Sequence, residues 1–250
     1  MTETALRPGR PIWLELNAQR VTNGIRFYEQ LFAWTSKPLH VHPWGCIPNI
    51  VNGERMFGNQ FMAMGGFAVP KWIIWFSADL DRAESQIESL GGDAGQGIHQ
   101  LGELGLLING TDPQGHPFSL MKPSSDPPPG DQYGDPCLAE FWGPNAAQKA
   151  DFFAQIIDLK CVETEHGAML TDQDNPRLFF RDTDFDIHPP RWIPYFRSSS
   201  TGGDLERARR AGAVVQVHKE TVPHLGDLVV LSDPAGAYFG IVNTDNAVER

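Results

Sequence analysis

The two halves of this 250-residue chain match each other, which restricts it to architectures that can be built twice in tandem. Trp13-Leu14-Glu15-Leu16 aligns with Leu138-Ala139-Glu140-Phe141 at an offset of 125 (138 minus 13). The next segment keeps that offset: Ile25, Phe27, Tyr28, Leu31 and Phe32 align with Ala150, Phe152, Phe153, Ile156 and Ile157. Further on, Lys71-Trp72-Ile73-Ile74-Trp75-Phe76 matches Arg191-Trp192-Ile193-Pro194-Tyr195-Phe196 at 120 (192 minus 72). Thr111-Asp112-Pro113-Gln114-Gly115 with Phe118 matches Ser232-Asp233-Pro234-Ala235-Gly236 with Phe239 at 121 (233 minus 112). Four blocks in one order exclude coincidence. Between the halves, Lys122 to Pro136 is rich in proline, glycine and aspartate and favours an extended, partly stiff connector. The expected domains are therefore residues 1–122 and 137–250, with a linker over 123–136.

Each half has the same local pattern. The spacing predicts a strand from Pro11 to Asn17 and then a helix burying Ile25, Tyr28, Leu31 and Phe32, the i, i+3, i+6, i+7 face. Short strands follow through Met64. A strand from Lys71 to Ser77 then precedes a helix with Ala83, Ile87 and Leu90 on one stripe, stopped by Gly91-Gly92. Three strands close the half, from about Ala94 to Met121. In the second half the corresponding helix is expected from about Asp204 to Ala211, ending at Gly212. Each half is thus two βαβββ units in a row, an α+β architecture.

Composition narrows the partners. With 20 Lys+Arg against 31 Asp+Glu the net charge is −11, a field that repels nucleic acid, anionic membranes and polyanionic ligands. A neutral or modestly charged small molecule is the easier partner. Apolar runs such as Trp72 to Phe76 fall far short of the roughly 18 residues a membrane helix needs, and Met1 to Gly9 has no apolar signal core, so a cytoplasmic protein is expected. Cys46, Cys137 and Cys161 are odd in number and lack CxxC spacing, which suggests neither disulfides nor a zinc cluster. Gly65-Gly66 and Gly202-Gly203 lack the strand-to-helix phosphate-loop context, so no nucleotide cofactor is expected.

The FYxxLFxW segment (Phe27 to Trp34) after a strand, together with DPxGxxF in the last hairpin, resembles the vicinal oxygen chelate superfamily of glyoxalases, bleomycin-resistance proteins and extradiol dioxygenases. Trp13 to Leu16 (W-x-E-L) and Asp233 to Ala237 (DP-x-G-A) are most similar to its tandem two-domain actinobacterial branch. The resemblance implies two glyoxalase-like domains, each with a concave, mostly antiparallel eight-stranded sheet and helices outside. It also implies a divalent ion held by His or Glu on the first, fourth, fifth and eighth strands. Here those positions fall on Trp13, on Trp72 or Ile73, and on Ser119; in the second half they fall on Leu138, Trp192 or Ile193, and Gly240. The fourth-strand segments, Phe61 to Met64 and Leu178 to Phe180, contain no His, Asp or Glu. Imidazole or carboxylate donors are missing, so no metal and no cofactor are expected.

Strand alternation then selects the residues that share the cavity face. In the first half these are Trp13, Glu15 and Asn17; in the second, Leu138, Glu140 and Trp142. An inward carboxylate among aromatic rings would have its pKa raised and could act as a general acid or base, or it could be a buried structural anchor. His40 and His42 could chelate a metal, one could serve as an acid/base partner for Glu15, or both could be solvent-exposed. Tyr195 and Arg197 share a face, as do Ile73, Trp75 and Ser77, and could hold a phenolate or carboxylate or simply pack the core. The expected sites are catalytic Glu15 and His40, with substrate bound by Trp13, Asn17, Trp75, Glu140, Trp142, Tyr195 and Arg197. The expected activity is metal-independent acid/base chemistry on an aromatic or polycyclic small molecule in secondary metabolism. A non-catalytic antibiotic-binding protein and a metal enzyme with displaced ligands are the alternatives.

Overall fold

A computed structural model of the protein describes residues 7–18, 21–41, 45–62, 70–125, 130–165, 167–184, 190–222 and 225–243. Four βαβββ units follow one another. The first consists of β1 (Pro11–Ala18), α1 (Val21–Phe32), β2 (Thr35–Val41), β3 (Gly45–Asn52) and β4 (Arg55–Met62). The second has β5 (Lys71–Ser77), α2 (Leu80–Ser89), β6 (His99–Leu101), β7 (Gly105–Thr111) and β8 (Pro117–Pro123). The second half repeats the order with β9 (Pro136–Trp142), α3 (Ala146–Ile157), β10 (Lys160–Thr164), β11 (Gly167–Asp172) and β12 (Asn175–Arg181). It ends with β13 (Arg191–Arg197), α4 (Thr201–Arg210), β14 (Val214–Val222), β15 (Gly226–Ser232) and β16 (Tyr238–Asn243).

Two eight-stranded mixed sheets result, ordered β2-β3-β4-β1-β5-β8-β7-β6 and β10-β11-β12-β9-β13-β16-β15-β14. The duplication reaches the hydrogen-bond register. In the parallel β1/β4 pair Glu15 lies opposite Asn59, and in β9/β12 Glu140 lies opposite Phe179. Trp75 lies opposite Ser119 just as Tyr195 lies opposite Gly240.

The helices end where the sequence says they should. After α2, Gly91 takes φ +84 and its N–H reaches the Glu88 carbonyl, a left-handed stop that a Cβ would strain. Helix α4 begins at Thr201, about one turn before the expected Asp204, because the Ser200 hydroxyl accepts the Gly203 N–H and caps the end. Gly202 and Gly203 are tolerated in that first turn, where the cap offsets their cost.

The chain packs as two compact units, and each draws on both halves. One comprises Met1–Ile12, Ile74–Pro128 and Leu138–Trp192; the other comprises Trp13–Ile73, Pro129–Cys137 and Ile193–Arg250. In the former α2 packs on α3, and in the latter α1 packs on α4. The core of the former interlocks Phe118, Phe153, Phe180 and Trp192, with Phe153 and Trp192 edge to face at 5.3 Å. That of the latter stacks Tyr28 on Trp34 at 5.2 Å and sets Trp34 edge-on to Phe196 at 4.9 Å.

The Asp of each DPxG turn is a buried staple. Asp112 Oδ1 accepts the N–H groups of Gln114 and His116, and Asp233 Oδ1 accepts those of Ala235 and Ala237. Their remaining oxygens take a donor from a helix of the opposite half: Lys149 on α3 for Asp112, and the Tyr28 hydroxyl on α1, at 3.1 Å, for Asp233. The end of the expected linker is similarly fixed. Asp135 pairs with Arg55 at 3.0 Å and accepts from Asn52 at 2.8 Å, while the Trp34 indole donates to the Gly134 carbonyl.

Candidate functional site

The faces of the first βαβββ unit follow from its helix. A side chain at Gly24 of α1 would collide with Leu16 and Gln60, so that pair, adjacent in register, lies under the helix. Alternation then turns Trp13, Glu15 and Asn17 of β1, and Asn59 of β4, to the opposite face. Asn49 of β3 is the antiparallel partner of Asn59 and joins the same row. A bulge at Phe57, where Ile50 and Val51 face Gly58 and Met56, interrupts the alternation along β4.

Glu15 is half-buried, and burial raises its pKa from 4.5 to about 7, opposed by a hydrogen bond from the Asn59 amide. Among the described residues no cationic side chain pairs with it. Its repeat counterpart differs. Glu140 is buried and accepts a 2.7 Å charge-assisted bond from Arg181 Nε, which ties the carboxylate to β12. One Glu is therefore poised to exchange a proton near neutral pH while the other is pinned by a guanidinium.

The other expected residues fall as follows. Trp13 and Asn17 share the Glu15 face, Trp13 being buried and Asn17 half-buried. Trp75 is buried beside Ser119 across the β5/β8 pair. Trp142 is buried on β9. Tyr195 is buried with its ring directly over Gly240, where a Cβ would lie 2.3 Å from ring carbons. Arg197 is half-buried, and its Nε donates to the Gly130 carbonyl while its backbone N–H donates to the Asp135 carbonyl. His40 lies on β2 opposite Cys46, with its side chain outside the described residues; His42 is outside them altogether.

Sequence reasoning missed Asn49 and Asn59, because only strand register places them beside Glu15. It also missed a cluster in the other compact unit, where the buried Lys149 amine bonds to Asp112 and Gln114, approaches His116 Nδ1 at 3.1 Å, and sits 4.5 Å from the Phe141 ring centroid. A lysine on the apolar face of α3 is the signal that could have found it. Burial pushes Lys149 down to about 8 and lowers His116.

The positions where the fold family holds a metal do not fit one. Trp13 and Leu138 offer no donor, Ser119 donates its hydroxyl to Asn109 at 2.7 Å, and the Tyr195 ring leaves no space for a side chain at Gly240. Among the described residues no three His, Cys, Asp or Glu side chains group to hold an ion. No helix among them is long and apolar enough to cross a membrane.

No family model matches the sequence. Proteins provisionally named glyoxylase CFP32 in Mycobacterium bovis and Mycobacterium tuberculosis are 23% identical over 94% of this chain and 95% of their own length. Among solved structures, the Mn(II)-bound glyoxalase of Novosphingobium aromaticivorans superposes with a TM-score of 0.66 at 11% identity, covering 96% of this chain and 83% of that one. The 2,2',3-trihydroxybiphenyl 1,2-dioxygenase of Sphingomonas wittichii superposes at 0.67 with 12% identity, covering 95% and 91%. The paired βαβββ units, the strand order shared by both sheets and these likenesses together show that the chain has the fold of the vicinal oxygen chelate superfamily, built twice in tandem.

Proposed function

We propose that this protein is an enzyme that moves protons on an aromatic or polycyclic small molecule without a metal, in a ring-opening, cyclisation or isomerisation step of cytoplasmic secondary metabolism. The glyoxalase-like domains are residues 1–122 and 137–250, joined through 123–136, with the acid/base groups in the first and substrate contacts drawn from both. The observation that carries this reading is the unequal treatment of the repeated glutamate: Glu15, raised to about 7 with no cationic partner among the described residues, against Glu140 held by Arg181. A base with a pKa near ambient pH combines a useful ionised fraction with enough basicity to accept a proton. Trp13 offers ring-stacking surface on the same face, Asn17 orients substrate, and His40 is the proposed proton partner. Trp75, Glu140, Trp142, Tyr195 and Arg197 are assigned to substrate contacts on the same proposal.

The test is turnover of aromatic polyketide-like candidates by wild type, Glu15→Gln and His40→Ala. Glu15→Gln should lower kcat by about 100-fold or more with the fold intact, the usual scale for losing a general base. Activity should rise with pH through about 7 as Glu15 ionises. Binding without turnover in every candidate would favour a sequestering, antibiotic-resistance protein. About one Fe, Mn, Ni or Zn per chain, lost in a His40→Ala/His42→Ala variant, would favour a displaced metal site.

A further inference from the structure

Resting on the reading of the Glu15 face as the ligand site, we infer that Asn17, Asn49 and Asn59 form an acceptor patch around Glu15 that selects uncharged ligands carrying two or more O–H or N–H donors along one edge. Asn49 is 2% and Asn59 8% exposed, yet the Oδ1 atoms of Asn17, Asn49 and Asn59 are buried with no hydrogen-bond partner. Asn49 and Asn59 pair across β3/β4, and Asn59 pairs with Glu15 across β4/β1, so these three stand in adjacent strands on one face; Asn17 lies on the same face two residues further along β1, opposite Phe61. The Asn59 amide bonds the Glu15 carboxyl, and the Asn59 carbonyl oxygen is left without a donor.

A buried carbonyl without a donor is costly, and here three share one face. All are acceptors, and the neighbouring group is a carboxyl, so an anion is repelled and a donor-bearing edge is drawn in. Adjacent strands stand roughly 4.8 Å apart, a spacing that meta-related hydroxyls on one aromatic ring can bridge from one amide to the next. Trp13, two residues before Glu15 on the same face, offers that ring an indole surface. An apolar polycycle with no donors would leave the amide oxygens as unsatisfied as they are now.

The experiment titrates the full chain with resorcinol, 3-methoxyphenol and 1,3-dimethoxybenzene, a series that deletes one donor at a time, by calorimetry or tryptophan fluorescence. Each lost donor should weaken binding about tenfold, because a site built to hydrogen-bond a hydroxyl discriminates strongly against the analogue lacking it. Asn49→Leu and, separately, the more exposed Asn17→Leu should compress one of these steps to about threefold or less, with Tm confirming that each variant folds. Equal affinity for all three probes in wild type, no binding of resorcinol up to its solubility, or an unchanged ratio in both variants overturns the inference. Glu15→Gln separates the two proposals: it abolishes turnover under the acid/base reading, whereas the donor preference belongs to the amides and survives in that variant.

Discussion

Glu15 connects stability to pH in a direction that a structural anchor would not. Its carboxyl has a pKa of about 7 in the folded chain against 4.5 ordinarily. Between pH 4.5 and 7 the folded state therefore keeps a proton that the unfolded state has released, and stability falls as pH rises across that window. Above pH 7 the loss approaches about 3 kcal/mol, since each tenfold difference in proton affinity between the two states is worth about 1.36 kcal/mol. Glu15→Gln should remove this dependence. The stability difference between wild type and variant, from urea midpoints at pH 5 and pH 8, should move against wild type as pH rises, and a difference that stays constant would show that burial does not perturb the carboxyl. The staples are tested by removing their donors. Lys149→Met leaves the Asp112 carboxylate buried without its ammonium and should cost about 3–5 kcal/mol. Tyr28→Phe removes the hydrogen bond to Asp233 and the acceptor of the Trp72 indole N–H, and should cost about 1.5–3 kcal/mol, less than the first by thermal unfolding. Glu15 was expected on the Trp13 face by alternation counted from a position that the resemblance supplied, whereas Lys149 and the two asparagines were not legible, because their partners come from distant strands and helices.

At the scale of elements, periodicity and terminators carried most of the information. Strand β5 runs from Lys71 to Ser77 as expected, and the Gly91 and Gly212 stops follow from the left-handed backbone those turns adopt. The start of α4 was displaced because two glycines argue against a helix while a serine cap argues for one, and only the capped geometry decides between them. The bulge at Phe57 in β4 leaves no mark in composition, and with it the sidedness of Asn59 could not be counted from the end of the strand. Close packing between β13 and β16 yields a test. Gly240→Ala would place a methyl 2.3 Å from the Tyr195 ring, so it should destabilise the chain by about 1–3 kcal/mol by overpacking. Tyr195→Ala in the same background should recover part of that loss, and additive effects of the two changes would refute the contact.

The whole molecule is less separable than its repeat suggests. Each compact unit combines a helix and strands from one half with those of the other: α1 with α4, and α2 with α3. Expressed alone, residues 1–122 or 137–250 would leave both aromatic cores half built and Asp112 or Asp233 without the helix donor. Neither half should show a cooperative thermal transition, while mixing or co-expressing the two should restore one. An isolated half that unfolds cooperatively with dispersed NMR signals would contradict this. The same intergrowth explains why the DPxG motif is kept in both repeats: its Asp organises the turn locally and docks a helix from far along the chain.

What the amino-acid sequence determined by itself was the duplication, the βαβββ order and the aromatic character of the cores, because these depend on local periodicity and on a pattern printed twice. Tertiary structure decided which of two equivalent glutamates is held by a guanidinium and which is not, because that depends on what stands opposite it in the neighbouring strands. Arg181 reaches Glu140, whereas Asn59 stands beside Glu15 with Asn49 one strand further on. A guanidinium ties down the Glu140 carboxylate, while burial beside an amide raises the Glu15 carboxyl to about 7. Repetition copies the position; the partner across the sheet sets the chemistry.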